Sequence, residues 1–176
     1  MNQWLKQAKT SVESLAGDSY RPLQAFVEEK SRLKINLEDG QIDEVLTGRE
    51  SGLALSAVDG RNTNFFCYAS PRQLQEALDE LPDLLGVSSG GGSISWDDTE
   101  TYEMDVGSTL DVRPSEEKKE RVLEADRRGR EFDDRVDQVR VTYNEKNRHI
   151  IVVDEAGWIR EERQQYINFN VMVIAR

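Results

Sequence analysis

One cysteine and one histidine are all the thiol and imidazole that this 176-residue chain contains. With Cys67 alone, no intrachain disulfide can form, and a reducing compartment, the cytoplasm, is the expected setting. With His149 alone, every site that needs two imidazoles is excluded, the His-Glu-x-x-His zinc helix among them. A Cys–His nucleophile pair would have to join these two residues. Cys67 lies within Asn64-Phe65-Phe66-Cys67-Tyr68, where a small buried thiol on a strand is expected, and His149, opening a strand after a polar turn, is expected at the surface. Apolar runs of membrane-spanning length are missing as well, and Met1–Lys6 has no continuous apolar core, so neither a membrane partner nor a secretory signal is expected. Basic surplus is also lacking. The chain has 23 Lys and Arg against 34 Asp and Glu, a net charge of −11. Nucleic acid is therefore not expected as a partner, because phosphate binding needs a concentrated Lys/Arg face.

Familiar motifs fail one by one. Gly48-Arg49-Glu50-Ser51-Gly52 lacks the spacing of a nucleophile elbow, and Gly90–Gly92 is not followed by Gly-Lys-Ser/Thr. Asp97, Asp98, Glu100, Glu103 and Asp105 place Tyr102 and Ser108 where a calcium loop needs Gly and Glu, which leaves a solvated acidic loop. Arg127, Arg128 and Arg130 are interleaved with Asp126, Glu131, Asp133 and Asp134, the pattern of a salt-laced helix face. The three tryptophans are too scattered for a stacking platform, and packing in a core or interface is expected of them.

What is present is periodicity. Trp4, Ala8, Val12 and Leu15 recur at helical steps, with Gly17 as the stop. Period two follows in Leu23, Ala25 and Val27, in Leu33, Ile35 and Leu37, and in Leu53, Leu55 and Ala57. Asp39-Gly40 and Asp59-Gly60 supply the positive φ angles of type I′ turns. Ser70-Pro71-Arg72-Gln73 opens a helix over 70–81. Residues 86–113, with Ser88–Ser93 of linker composition, read as a flexible acidic connector. Pro114-Ser115-Glu116-Glu117 caps a helix whose apolar face is Val122, Ala125, Gly129 and Phe132. A meander closes the chain, with turns at Asn144–Asn147, Glu155–Gly157 and Arg163-Gln164. The expected fold is α+β in two lobes, each combining helix with antiparallel hairpins or meander: 1–85 and 114–176, joined by 86–113.

In the final strand Ile167, Phe169, Val171 and Val173 share one face, while Asn168 and Asn170 give way to Met172 and Ile174 on the other. A strand apolar on both faces is normally covered on both. Met172 and Ile174 are therefore expected to be interface residues completed by another polypeptide; the alternative is that the two lobes clamp the strand between them.

Leu37–Val45, followed by Gly52-Leu53-Ala54-Leu55 and Asp59-Gly60-Arg61, resembles the paired hairpins of the TldD/PmbA family, the modulators of DNA gyrase. Ser115–Arg130, Val136–Val141 and the meander to Arg176 are similar to that family's acidic-capped helix and the strands after it. The resemblance covers most of the chain apart from 86–113. It implies zinc metallopeptidases that process peptides as homo- or heterodimers, with a His-Glu-x-x-x-His helix and a cysteine in a C-terminal domain. No His-Glu pair occurs here, so no catalytic, cofactor or metal residue carries over, and zinc belongs to the full-length family only. A second departure is Asp154-Glu155-Ala156-Gly157, where the family commonly has Asn-Ser-x-Gly. The role implied is that of a non-catalytic N-terminal portion, inactive alone, that shapes the substrate channel and dimer interface beside the missing catalytic domain or a second subunit. The rival role is a stand-alone module that binds a partner's strand at a sheet edge. Metal analysis after dialysis should find no stoichiometric zinc; about one tightly held zinc per chain would overturn that expectation.

Overall fold

An Asp-Gly pair organises the first half of the chain. Asp39 and Gly40 both take positive φ, 50° and 77°, the left-handed pair that lets two strands reverse without splaying. They join β1 (Leu23–Glu38) to β2 (Gln41–Val58). The computed structural model describes residues 3–15, 23–58, 63–68, 73, 94–96, 99–103 and 113–176. Within them lie α1 (Gln3–Leu15), β3 (Thr63–Tyr68), β4 (Thr99–Glu103), α2 (Ser115–Glu131), β5 (Val136–Asp154) and β6 (Ile159–Ala175). The strands form one sheet in the order β3-β2-β1-β5-β6-β4. The fold is α+β, as the alternating patterns imply. β3 runs antiparallel to β2, with Cys67 opposite Ala54. The Asp59-Gly60 turn, the helix over 70–81 and the Ser/Gly run at 88–93 lie outside the described residues, apart from helical Gln73.

Several expected boundaries are moved. The runs at 23–27 and 33–37 belong to a single strand, β1, which continues through Glu28–Arg32. Neither Asn144–Asn147 nor Arg163-Gln164 turns; both lie inside long strands. Asn147 is held there by side-chain bonds to Glu145 and Ser31. The 86–113 connector contains β4, which pairs in parallel with β6 from Thr99↔Ile159 to Glu103↔Arg163; Thr99, Thr101 and Tyr102 are strand formers. Ser115 is not the cap of α2. Pro114 holds that position with no side-chain bond, and its carbonyl accepts from the Lys118 amide. Phe132 lies past the helix end and is 88% exposed.

The chain groups into two compact units. The first comprises Met1–Glu29, Glu50–Met104 and His149–Arg163. Its core sets Ala8 and Val12 of α1 among Leu23, Ala25, Val27, Leu53, Leu55, Ile151, Val153 and Ile159. Trp4 and Trp96 both pack onto it; the Trp96 Nε1 donates to Glu13 at 2.7 Å, and Lys9 lies 5.0 Å from its ring centre. Trp158, by contrast, is exposed. The second unit comprises Lys30–Arg49, Asp105–Arg148 and Gln164–Arg176. Its core is Ile35, Leu37, Val122, Val139, Val141 and Tyr143. Gly129 lets α2 approach β5 closely, since a Cβ there would lie 3.3 Å from Val139.

Candidate functional site

The helical stripe that carries Val122 into the second core also buries Lys118 and Asp126, one turn to either side. A buried lysine demands a partner. It finds Glu145, whose carboxylate lies 2.5 Å from its Nζ. Glu145 continues the inward phase of Val139, Val141 and Tyr143 along β5 and is only 6% exposed. Its carboxylate also accepts from the Tyr143 hydroxyl at 2.5 Å, the Asn147 Nδ2 at 2.8 Å and the Gln165 Nε2 at 3.2 Å. Burial by itself pushes this acid up. The donors outweigh it, Lys118 first and then Tyr143 and Asn147, and hold the carboxyl below its ordinary value. With four donors on two oxygens the carboxylate is already satisfied, so it is a poor proton acceptor and acts as a structural anchor.

Above this pair opens a cavity of about 470 Å³ lined by Arg113, Lys118, Arg121, Glu124, Ala125, Arg128, Tyr143, Ile167 and Phe169. The Tyr143 and Phe169 rings meet edge-on at 6.1 Å and form its floor. Along α2 the expected salt lacing is present. Glu124 bonds Arg127 and Arg128, both at 2.5 Å, and Arg130 bridges Asp126 and Asp39. Arg127 first, and then Arg128, hold the exposed Glu124 carboxyl below its ordinary value.

His149 is half-buried rather than at the surface. Its Nε2 lies 2.6 Å from Glu161, and its Nδ1 lies 3.8 Å from Glu29. Each ring nitrogen faces a different carboxylate, so the three do not converge on a point where an ion could sit. Among the described residues no group of three His, Cys, Asp or Glu side chains could hold a metal. The zinc implied by the family resemblance does not fit the residues described. Cys67 lies on β3, and its side chain is outside what is described.

Met172 and Ile174 sit near the end of β6, on the face opposite Phe169 and Val173. Val173 approaches Gly129 of α2. Both faces are open: Ile167, Phe169, Val171 and Val173 on one, and Tyr166, Met172 and Ile174 on the other, are each 43–48% exposed. β4 accompanies β6 only as far as Arg163. Among the described residues, no strand lies along that edge from Gln164 to Ala175. Sequence reasoning missed the Lys118–Glu145 pair, although a signal existed: both residues are polar groups exactly in phase with an apolar face.

Larger proteins solved by crystallography share this architecture. A proposed modulator of DNA gyrase from Thermotoga maritima matches 99% of the chain at 18% identity with a TM-score of 0.74. Another, from Bacteroides thetaiotaomicron, matches 100% at 12% identity with a TM-score of 0.70. TldE from Thermococcus kodakarensis matches 95% at 13% identity with a TM-score of 0.53. This chain spans 40%, 42% and 39% of those proteins, about two fifths of their length. At these identities the likeness concerns the fold, which places the chain among α+β proteins of this architecture. A search of curated proteins by sequence gives no match. Family models are more specific: residues 23–84 match the PmbA/TldA metallopeptidase domain 1, and residues 109–176 match the PmbA/TldA metallopeptidase central domain. Together they take in well over half of the sequence, and the chain belongs to the PmbA/TldD family. These matches follow chain order, whereas the compact units interleave along it.

Proposed function

We propose that this chain is the non-catalytic N-terminal portion of a TldD/PmbA-type metallopeptidase. It shapes the substrate channel and the dimer interface around a zinc site supplied elsewhere, and so serves peptide processing in the cytoplasm. The observation that carries this reading is the match of residues 23–84 and 109–176 to the first and central domains of that family. The exposure of Met172 and Ile174 on β6 supports the interface part of it, since an exposed apolar patch is normally covered by a partner. No helix among the described residues is long and apolar enough to cross a membrane.

Light scattering on the 176-residue chain tests the interface. An oligomer that Met172→Asp or Ile174→Asp converts into a folded monomer is the expected result. A wild-type monomer that either change unfolds outright would place both residues in an internal core and end the proposal. A second reading is favoured by the edge of β6 beyond Arg163: a stand-alone interaction module that accepts a partner's strand there. Pairing through backbone groups at that edge would leave the oligomer or complex intact in both aspartate variants.

A further inference from the structure

The cavity beside α2 runs against the charge of the chain that makes it. The whole sequence carries −11, yet the lining holds Arg113, Lys118, Arg121 and Arg128 against a single carboxylate, Glu124. Three of these cations are already engaged, Lys118 by Glu145, Arg128 by Glu124, and Arg113 by a further group. Arg121 is exposed and has no partner among the described residues. The wall therefore keeps one guanidinium fork, that of Arg121, available. The floor is of the opposite character: Ile167 and Phe169 lie half-exposed beside the buried Tyr143 ring. A volume of about 470 Å³ falls within the range of roughly 300–1,000 Å³ that small-ligand sites occupy. The lining comes mainly from a helix and two paired strands, with Lys118 pinned in place by Glu145, so the shape does not wait on a ligand to form.

We propose that this cavity binds an organic carboxylate with an aromatic or branched apolar body. The carboxylate takes two parallel N–H bonds from Arg121, the geometry in which a guanidinium is strongest. The apolar body covers Ile167 and Phe169, and aromatic surface of that kind gains most from losing its water. A bare inorganic anion would use the fork and waste the floor, whereas a neutral apolar molecule would leave the fork unanswered. A free aromatic acid and the C-terminal residue of a peptide share this chemistry.

Calorimetry on the full 176-residue chain tests the site with N-acetyl-phenylalanine, its primary amide, inorganic phosphate and the tripeptide Gly-Gly-Phe. Saturable binding of the acid is expected, with the amide weaker by about tenfold or more and no competition from an equal concentration of phosphate. Arg121→Gln should weaken the acid by a similar factor without moving the unfolding temperature, because that side chain bonds no other described residue. Ile167→Ala should weaken it as well, and it serves where Phe169→Ala disturbs folding. Tighter binding of Gly-Gly-Phe than of N-acetyl-phenylalanine would support the site with a peptide C-terminus as its ligand; the reverse would support it with a free aromatic acid. Equal affinity for acid and amide, full competition by phosphate, undiminished binding in Arg121→Gln, or no saturation would each overturn the proposal.

Discussion

Glu145→Ala should destabilise the protein by about 3–5 kcal/mol, the cost of leaving one member of a buried ion pair alone. Lys118, itself buried, would lose its counterion, and the Tyr143, Asn147 and Gln165 donors would lose their shared acceptor. Urea denaturation with the slope held constant measures the loss. Lys118→Met together with Glu145→Leu should cost less than Glu145→Ala alone, because two apolar side chains of similar volume remove both charges at once. If the double variant loses more, the pair contributes net stability that this account denies it. The same group sets a pH dependence. Its carboxyl is held below the ordinary value of 4.5 in the fold, so the unfolded chain binds the proton more readily. The stability it confers is full above pH 4.5 and is lost as the pH falls through the lower folded value. Glu145→Gln should flatten that acid limb relative to wild type.

The second large effect is expected at Gly157, in the turn between β5 and β6. Its φ of 89° belongs to the left-handed side that residues with a Cβ avoid. A Cβ placed there would stand 2.1 Å from the carbonyl oxygen of Ser95. Backbone cannot step aside as a flexible side chain can. Gly157→Ala should therefore cost the roughly 1–3 kcal/mol of an unfavourable dihedral and, in addition, displace the Ile94–Trp96 segment from the first core. Gly40→Ala is the natural comparison. Its φ of 77° imposes similar strain, but the nearest atom to its Cβ is the Asp126 Oδ2 at a comfortable 3.6 Å. Thermal unfolding of the two variants should show the larger loss at Gly157; equal losses would mean that the contact with Ser95 does not hold that segment.

How far the sequence could be read is shown by particular elements. The helical steps of Trp4, Ala8 and Val12 predict α1, and the latter two residues are fully buried. Asp39-Gly40 predicts its hairpin, and the salt lacing of α2 is present as its charge pattern implies. The breaks placed at Asn144–Asn147 and Arg163-Gln164 fail for a common reason. Polar residues in the middle of a strand look like turn formers, yet Asn147 and Arg163 each have a carboxylate to bond and stay in the ladder. β4 was illegible because its pairing partner, Ile159–Arg163, lies sixty residues further on, and a short polar strand carries no alternation of its own to announce it.

The candidate site divides in the same way. Its apolar floor was legible, since the alternation of Ile167 and Phe169 is local. Of its cations only Arg128 belongs to the salt-laced pattern legible in the sequence; no local signal marks Arg113, Lys118 or Arg121.

By itself the sequence determined what is local: the phase of each apolar face, the left-handed turn at Asp39-Gly40, the scarcity of metal ligands, and the stretches similar to the TldD/PmbA hairpins. These follow from dihedral preferences and from periods of 3.6 and 2, which any window of a dozen residues displays. Only the tertiary structure decided that Lys118 meets Glu145, that Ser95 closes over Gly157, and that a positive trough opens on an apolar floor. Each of those joins residues that are far apart along the chain, and no local preference encodes which distant partner a buried charge will find.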